Sequence, residues 1–259
     1  MIGSLFVTGP AGTGKSTFCA SMKDWLLMQG YDAAVVNLDP GADFVPYEPD
    51  IDVRDIISID EVMAQYSLGP NGAQVVAADL LVENMEEITK KLEELQDYYV
   101  IFDTPGQIEL FSFRPGSAMM VQRLSSGKAM IAFLADGVLC QYPSGYISQK
   151  MLYASVMSRM FYPMLFVINK TDLMDEDSIQ NAMDWEKDPE KLDDAFLEEK
   201  GNILKDYYSA ITKSFRDLSL VSKLFMVSSR DMMGFEDIYA EMSMYFRGGE
   251  DVDTMYKDE

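Results

Sequence analysis

The sequence contains no histidine and only two cysteines, and these absences exclude several kinds of functional site. Without histidine there is no imidazole-based catalytic triad, no histidine general base and no histidine metal ligand. Cys19 and Cys140 stand far apart, so their spacing forms no metal motif and predicts no disulfide framework. Basic residues are scarce too: 21 lysines and arginines face 43 acidic residues, and the net charge is −22. A chain this acidic repels polyphosphate backbones, which disfavours broad nucleic-acid binding.

Long apolar runs are also missing from the sequence. No run approaches the roughly 18 to 20 residues that a membrane span requires, and the chain starts in a strand pattern rather than a secretory signal. We therefore expect a cytoplasmic protein without membrane contact. The composition, 48% hydrophobic and 25% charged, is typical of a soluble globular protein, and 259 residues suit either one α/β domain or a domain with a modest insertion.

The most informative segment that is present, Gly9 to Ser16, reads Gly-Pro-Ala-Gly-Thr-Gly-Lys-Ser, the full pattern of a phosphate-binding loop. An apolar strand pattern precedes it and a helical pattern follows it, as such a loop requires. Its backbone N–H groups and the helix N-terminus favour phosphate oxygens, Lys15 can reach the β- and γ-phosphates, and Ser16 can ligate Mg²⁺. The predicted nucleotide contacts of this segment are Gly12, Thr13, Gly14, Lys15, Ser16 and Thr17.

Short apolar segments alternate with helical patterns along the chain, and this alternation predicts the fold class. Most of the apolar segments show no polar alternation, which is typical of strands buried on both faces. We predict an α/β fold of the P-loop NTPase type, with a doubly wound, mostly parallel sheet flanked by helices. The predicted strands are 2–7, 33–38, 98–102, 130–135, 163–168 and 224–227, and the predicted helices lie near 14–29, 74–96, 114–126, 145–161, 191–219 and 234–246.

The chain is predicted to form a single domain over residues 1–247, followed by a polar tail at 248–259. Two stretches look like helical insertions. One covers about 44–97 and contains Gly69-Pro70-Asn71-Gly72, which by itself predicts a tight turn. The other covers about 174–205 and is strongly acidic, and we interpret it as a solvated helical excursion.

The third predicted strand ends in Asp103-Thr104-Pro105-Gly106-Gln107. An aspartate at a strand end can hold Mg²⁺ through water, so Asp103 is a predicted metal residue. Gly106 is expected to present its backbone N–H to a γ-phosphate, and Gln107 to orient the attacking water. The motif is weak alone but strong in order after a phosphate-binding loop.

Asn169-Lys170-Thr171-Asp172 follows the fifth predicted strand and indicates guanine recognition. A carboxylate at Asp172 accepts hydrogen bonds from N1–H and the exocyclic amine of guanine, whereas adenine would leave it unpaired. We expect Asn169 to hold the loop and the base N7, and the stem of Lys170 to pack along the base plane. Ser228 ends the last strand, where a backbone N–H could meet guanine O6; the alternative is a plain strand end.

Asp39 ends the second predicted strand and is followed by Pro40 and Gly41. From that position its carboxylate can reach the Mg²⁺ sphere or the attacking water. The alternative is a proline–glycine turn with a solvated acid. We predict the functional role for Asp39.

In order along the chain, these motifs resemble the GPN-loop GTPases, and in particular the compact archaeal form. The segments that carry the resemblance are Gly9–Ser16, Asp39-Pro40, Gly69-Pro70-Asn71, Asp103 to Phe111 and Asn169–Asp172, and it covers residues 2 to about 247.

The resemblance implies properties that spacing alone does not show. The fold would belong to the dimerising class of P-loop GTPases, and the protein would be a homodimer. The loop Gly69, Pro70 and Asn71 would cross the dimer interface toward the γ-phosphate of the partner. Asp39 and Glu109, together with Gln107, would position water for catalysis. Lys15, and the amide of Asn71 from the partner, would stabilise the charge of the transition state.

The motifs and the resemblance together predict an Mg²⁺-dependent GTPase that hydrolyses GTP to GDP and phosphate and works as a dimeric switch or assembly chaperone. Three alternatives stay open. A metallocentre-insertion GTPase would need a cysteine- and histidine-rich delivery site, a GTP-binding scaffold would not hydrolyse, and a small-molecule kinase would need an acceptor motif. The client protein is not indicated by the residues; analogy with the family points to RNA polymerase assembly.

Overall fold

The computed structural model describes residues 1–198, 205–217 and 223–248, and it confirms the predicted fold class. Within these ranges seven strands form one sheet: β1 (Gly3–Thr8), β2 (Ala33–Asn37), β3 (Ile51–Asp52), β4 (Tyr99–Asp103), β5 (Ala129–Asp136), β6 (Met164–Asn169) and β7 (Leu224–Val227). Their order is β3-β2-β4-β1-β5-β6-β7, and neighbouring strands run parallel.

Helices cover both faces of this sheet, so the strands have apolar side chains on each side. Leu5 and Val7 of β1 pack with α1 and α12 on one face, while Phe6 belongs to the larger core on the other face. The helices of the described ranges are α1 (Lys15–Met28), α2 (Ile59–Tyr66), α3 (Pro70–Glu83), α4 (Met85–Leu92), α5 (Ile108–Phe111), α6 (Ser117–Ser125), α7 (Gly137–Cys140), α8 (Pro143–Met160), α9 (Glu176–Lys187), α10 (Pro189–Glu198), α11 (Lys205–Asp217) and α12 (Phe235–Arg247).

The region between β2 and β4 differs from the sequence-based expectation. It contains the strand β3, which pairs with β2 and was missed because two residues are too short to show a pattern. The predicted helix at 74–96 is two helices that meet at Asn84, whose backbone is not helical. The tight turn predicted at Gly69-Pro70-Asn71 was wrong: Gly69 caps α3 and Pro70 opens it. Proline fits the first position of a helix because its fixed φ is helical. The N–H group that it lacks would have no hydrogen-bond partner within the helix at that position.

The acidic stretch after β6 is also more deeply packed than we expected. Its helices α9 and α10 place Trp185 and Phe196, which are 6% and 0% exposed, in the core that covers one face of the sheet. Most acidic residues of these helices are exposed, but the side chain of Glu186 is buried and pairs with Lys150. The interpretation as a solvated excursion was therefore wrong for the face that packs on the domain. Residues 199–204 of the predicted insertion, and the predicted tail beyond Gly248, lie outside the described residues.

The parallel sheet brings the predicted motifs to one edge, because the carboxyl ends of all its strands point the same way. Asp103 at the end of β4 is level with Val7 of β1 and Asn37 of β2. Asn169 at the end of β6 is level with Asp136 of β5. Among the described helices, none combines the length and apolar character that crossing a bilayer requires.

Candidate nucleotide site

The phosphate-binding loop connects β1 to α1, and its backbone is possible only with glycine at key positions. Gly9 and Gly14 have φ values of 147° and 89°, which side chains other than glycine rarely adopt. A Cβ on Gly9 would lie 2.3 Å from the carbonyl oxygen of Leu134, and one on Gly14 would lie 2.8 Å from Nδ2 of Asn169. The loop is therefore packed tightly between the end of β5 and the Asn169 segment.

Lys15 is the buried cation of this site, with 6% of its surface exposed. Its Nζ donates to the backbone carbonyls of Gly9, Pro10 and Gly106 at 2.9, 3.1 and 2.9 Å. Burial lowers the pKa of Lys15, while the carboxylates of Asp103 and Asp39 oppose that shift. The ammonium thus links the phosphate-binding loop to the Asp103–Gln107 segment.

Asp103 is buried at the end of β4, beside the start of α1. Its Oδ2 accepts a hydrogen bond of 2.7 Å from the hydroxyl of Tyr47, and its Oδ1 is buried without a hydrogen-bond partner among the described residues. Burial raises the pKa of Asp103, and the hydroxyls of Ser16 and Tyr47 and the ammonium of Lys15 oppose this rise. A buried carboxylate oxygen with no donor is a suitable acceptor for a cation or its water ligand.

The donor set fits Mg²⁺ better than a metal held by protein side chains alone. The described residues contain no group of three or more acidic or thiol side chains that could hold an ion. Mg²⁺ keeps several waters and usually takes one or two protein oxygens plus substrate phosphates. Ser16 and the unpartnered Oδ1 of Asp103 match that requirement.

Asp39 joins two loops of the site through both of its carboxylate oxygens. Oδ1 accepts from the N–H of Gly41 and Oδ2 accepts from the N–H of Gly106, each at 2.9 Å. The N–H of Gly106, which we expected to face a γ-phosphate, is therefore bonded to a carboxylate. Contact between that N–H and a phosphate requires Asp39 to give up this hydrogen bond.

The remaining predicted catalytic residues, Gln107, Glu109 and Asn71, are exposed on the surface. Gln107 is exposed, and its Nε2 donates to Oε1 of Gln74 on α3 at 3.1 Å. Glu109 is exposed in the first turn of α5, and Asn71 is exposed in the first turn of α3. In the described part of the chain, no hydrogen bond joins the side chain of Asn71 or Glu109 to the groups above.

At the other end of the site, Asn169 connects three segments. Its Nδ2 donates to the carbonyl of Thr13 at 2.9 Å. Its Oδ1 accepts from the N–H and the hydroxyl of Ser229 at 3.2 and 2.8 Å. The predicted role of Asn169 in holding the loop therefore matches its contacts, and both ends of its amide are engaged within the protein.

Asp172 is exposed, and Ser228 orients its carboxylate through a hydrogen bond of 3.0 Å from its hydroxyl. The N–H of Ser228 donates to the carbonyl of Met233, and the N–H of Ser229 donates to Asn169. The predicted contact between guanine O6 and the Ser228 N–H therefore does not fit this geometry, because that donor is already paired.

Lys170 lies beside a small cavity that Asp172 also lines. Its backbone is left-handed, with φ of 66°, and its Nζ pairs with Oδ2 of Asp136 at 2.7 Å, which fixes the direction of its stem. The cavity has a volume of about 100 Å³ and is lined by Gly14, Thr17, Asn169, Lys170, Asp172, Ser229 and Arg230.

Sequence reasoning missed four residues of this site. Asp136 has a usable sequence signal, because it is an acid followed by glycine at the end of the strand β5. The structure explains the glycine, since a Cβ on Gly137 would lie 2.5 Å from the carbonyl oxygen of Asn169. Tyr47, Gln74 and Arg230 show no motif that would select them from other polar or aromatic residues.

Comparison with known proteins identified a matching family model and several similar sequences. A family model described as "conserved hypothetical ATP binding protein" matches residues 7–246. GPN-loop GTPase QQT1 of Arabidopsis thaliana is 36% identical over 178 residues, which are 67% of this chain and 60% of that protein. GPN-loop GTPase 2 homolog of Dictyostelium discoideum is 32% identical over 225 residues, or 83% of this chain and 71% of that protein.

A solved structure agrees with these matches. The chain is similar to a GTPase from Pyrococcus abyssi, crystallised in its apo form, with a TM-score of 0.82 and 26% identity over 95% of this chain and 98% of that one. The match to the Arabidopsis relative spans less than two thirds of that protein's length. On the family model, the relatives and this structure together, the chain belongs to the GPN-loop GTPase family.

Proposed function

We propose that this protein is an Mg²⁺-dependent GTPase that hydrolyses GTP to GDP and phosphate. The observation that carries the proposal is one connected set of contacts at the carboxyl edge of the sheet. Lys15 joins the phosphate-binding loop to Gly106, and Asn169 joins the same loop to the segment that holds Asp172. Three motifs that are far apart in the sequence thus meet around one space.

Guanine is preferred over adenine in this proposal, although the matching family model is described as ATP binding. The geometry of Asp172 supports guanine, because Ser228 holds an exposed carboxylate at the rim of the cavity between Lys170 and Arg230. That carboxylate can accept from two guanine donors, whereas adenine offers it a lone pair at N1. The names of the curated relatives also favour GTP.

The residues of the phosphate end have distinct tasks in this reaction. Lys15 supplies a desolvated positive charge for the phosphate oxygens, where an ammonium acts strongly because the site is partly dry. Ser16 and Asp103 would hold Mg²⁺, which supplies further charge neutralisation for the transferred phosphoryl group. Gln107 orients the attacking water through its side-chain amide, and a carboxylate, that of Asp39 or Glu109, accepts the proton that the water loses.

We also propose that the protein works as a homodimeric switch in the cytoplasm and assists assembly of a client protein. Exposure of Gly69, Pro70 and Asn71 at the start of α3 supports a contact across an interface. The bond between Asp39 and Gly106 supports switching, because GTP and GDP differ in the phosphate that would compete for that N–H. The client, for which RNA polymerase is the candidate, rests on family analogy alone.

Phosphate release with GTP and with ATP tests the enzymatic proposal. We expect release from GTP in the presence of Mg²⁺, little release from ATP, and a loss of about 100-fold in Gln107→Ala. Gln96→Ala removes an exposed glutamine outside the site and serves as the matched control. GTP that binds without turnover would support a scaffold instead, and equal use of ATP would contradict the role of Asp172.

Light scattering of the purified chain with GDP or a slowly hydrolysed GTP analogue tests the dimer. We expect a dimer mass, and we expect Asn71→Ala to slow hydrolysis without changing the fold. A monomer with both nucleotides, even at high protein concentration, would contradict the proposed partner contact.

A further inference from the structure

Gln74 of α3 is a polar side chain that belongs to none of the motifs, yet it contacts two segments of the candidate catalytic site. Its Oε1 accepts the hydrogen bond of 3.1 Å from Nε2 of Gln107. Its Nε2 lies against the loop that follows β2, since a Cβ built on Gly41 of that loop would be only 2.9 Å from this nitrogen. Gln74 is half-buried, so its amide is partly fixed by packing.

Both neighbours of Gln74 are linked to Asp39. Gly41 donates its N–H to Oδ1 of Asp39, and Gly106, the residue before Gln107, donates its N–H to Oδ2. A Cβ on Gly41 would also lie 3.3 Å from Oδ1 of Asp39, so the backbone of Gly41 packs closely against both side chains. Through Gln74, the helix α3 therefore contacts the segments around Asp39, including Gln107, the side chain that we expect to position water.

The direction of the Gln107 hydrogen bond is chemically important. Because Nε2 of Gln107 donates to Gln74, the carbonyl oxygen Oε1 of Gln107 remains available as an acceptor. An acceptor oxygen is what a water needs in order to be held with its lone pair toward a γ-phosphate. Without a fixed partner, an exposed glutamine would sample several rotamers, and few of them would place that oxygen correctly.

Gln74 also lies three residues after Asn71, so both are on the same side of α3 near its N-terminus. A contact made by the exposed start of α3 and the hydrogen bond to Gln107 therefore belong to one rigid element. Any small shift of that helix end moves the acceptor that holds Gln107.

We propose that Gln74 is a positioning residue for GTP hydrolysis, which fixes the side-chain amide of Gln107 and ties its orientation to the position of α3. The inference rests on the proposed function, because it assigns a role in that reaction. Gln74 acts through Gln107 and does not contact the reacting atoms.

Gln74→Met tests this role, since methionine has a similar length but cannot accept the hydrogen bond from an amide. We expect kcat for GTP to fall about tenfold, with the Kd for GTP unchanged, because only the orientation of Gln107 is lost. In a Gln107→Ala background the same substitution should have no further effect on kcat. Gln96→Met is the matched control and should leave kcat at the wild-type value.

A second measurement does not depend on turnover. The side-chain amide resonances of Gln107, assigned by their loss in Gln107→Ala, should report a rigid group in the wild-type chain and a mobile one in Gln74→Met. If Gln74→Met does not fold, the wild-type order parameter alone decides, and a freely mobile amide would overturn the inference.

The outcomes separate this inference from the proposed function. A wild-type chain that hydrolyses GTP while Gln74→Met has the same kcat would overturn the role of Gln74 alone. Equal losses in the wild-type and Gln107→Ala backgrounds would also overturn it, because Gln74 would then act independently of Gln107. A wild-type chain that does not hydrolyse GTP would overturn both.

Discussion

At the base end of the candidate site, bonds within the protein hold Asn169 and Asp172 in place without covering the carboxylate that would read guanine. At the phosphate end, protein groups bond to one another: Lys15 to backbone carbonyls, and the N–H of Gly106 to Asp39. A base can therefore dock on preorganised groups, whereas a triphosphate has to replace existing hydrogen bonds. Under the proposed function, base selectivity would therefore depend on the fixed part of the site, and a nucleotide-driven switch would depend on the part that has to rearrange.

The largest effect is expected at the phosphate end. Lys15→Ala should reduce GTP hydrolysis by at least about 100-fold, because a buried charge that faces the phosphates is lost together with its bonds to three carbonyls. Phosphate release under single-turnover conditions measures it. Lys23→Ala, which removes a lysine of the same helix that pairs with Asp50, is the control and should retain the wild-type rate.

Asp172→Asn removes the carboxylate that we expect to bind guanine and leaves the residues at the phosphate end unchanged. We expect GTP affinity to fall about 100-fold, since two charge-assisted hydrogen bonds are lost, and affinity for xanthosine triphosphate to rise, because xanthine has a carbonyl where guanine has the amine. Calorimetric titration with both nucleotides measures the change. Asp231→Asn, an acid that also contacts Ser228, is the control; a similar loss there would mean that general charge rather than base recognition is responsible.

Ser228→Ala tests whether the base end of the site is preorganised before a nucleotide binds. The hydroxyl of Ser228 holds Asp172, and a hydrogen bond of this kind contributes about 1 kcal/mol, so GTP affinity should fall roughly fivefold. Ser243→Ala removes a buried hydroxyl that has no hydrogen-bond partner among the described residues and should leave affinity unchanged. An affinity of Ser228→Ala equal to that of the wild-type chain would show that Asp172 needs no support.

The smallest effect concerns stability at the phosphate end. Burial raises the pKa of Asp103 above its unfolded value, so its ionisation destabilises the fold as pH rises through the folded-state pKa. Asp103→Asn should therefore raise the Tm measured without nucleotide by a few degrees at pH 7.5. The gain should shrink as pH is lowered through that pKa, where the wild-type carboxyl becomes neutral. A lower Tm at pH 7.5 would contradict this account of the buried carboxylate.

The fold class could be predicted from the sequence, and so could the choice of most residues in the candidate site. Unalternating apolar strands between helical patterns predict a parallel sheet with both faces covered, and a parallel sheet brings its strand ends to one edge. Because phosphate-binding loops and guanine-recognition motifs need fixed spacings, Lys15, Asp103 and Asp172 could be selected without coordinates. The residues of each motif lie close together in the sequence, so a phosphate-binding or base-binding motif can be recognised from a short segment.

The pairing of groups across the site could not be predicted, because it depends on the three-dimensional arrangement of distant segments. That Tyr47 binds Asp103, that Asp136 binds Lys170 and that Gln74 binds Gln107 depends on contacts between residues 33 to 56 positions apart. The tertiary structure also decided that the N–H of Ser228 is already paired, which no strand-end pattern reveals. Such pairings follow from how helices and loops pack against the sheet, and packing is a property of the whole chain rather than of any segment.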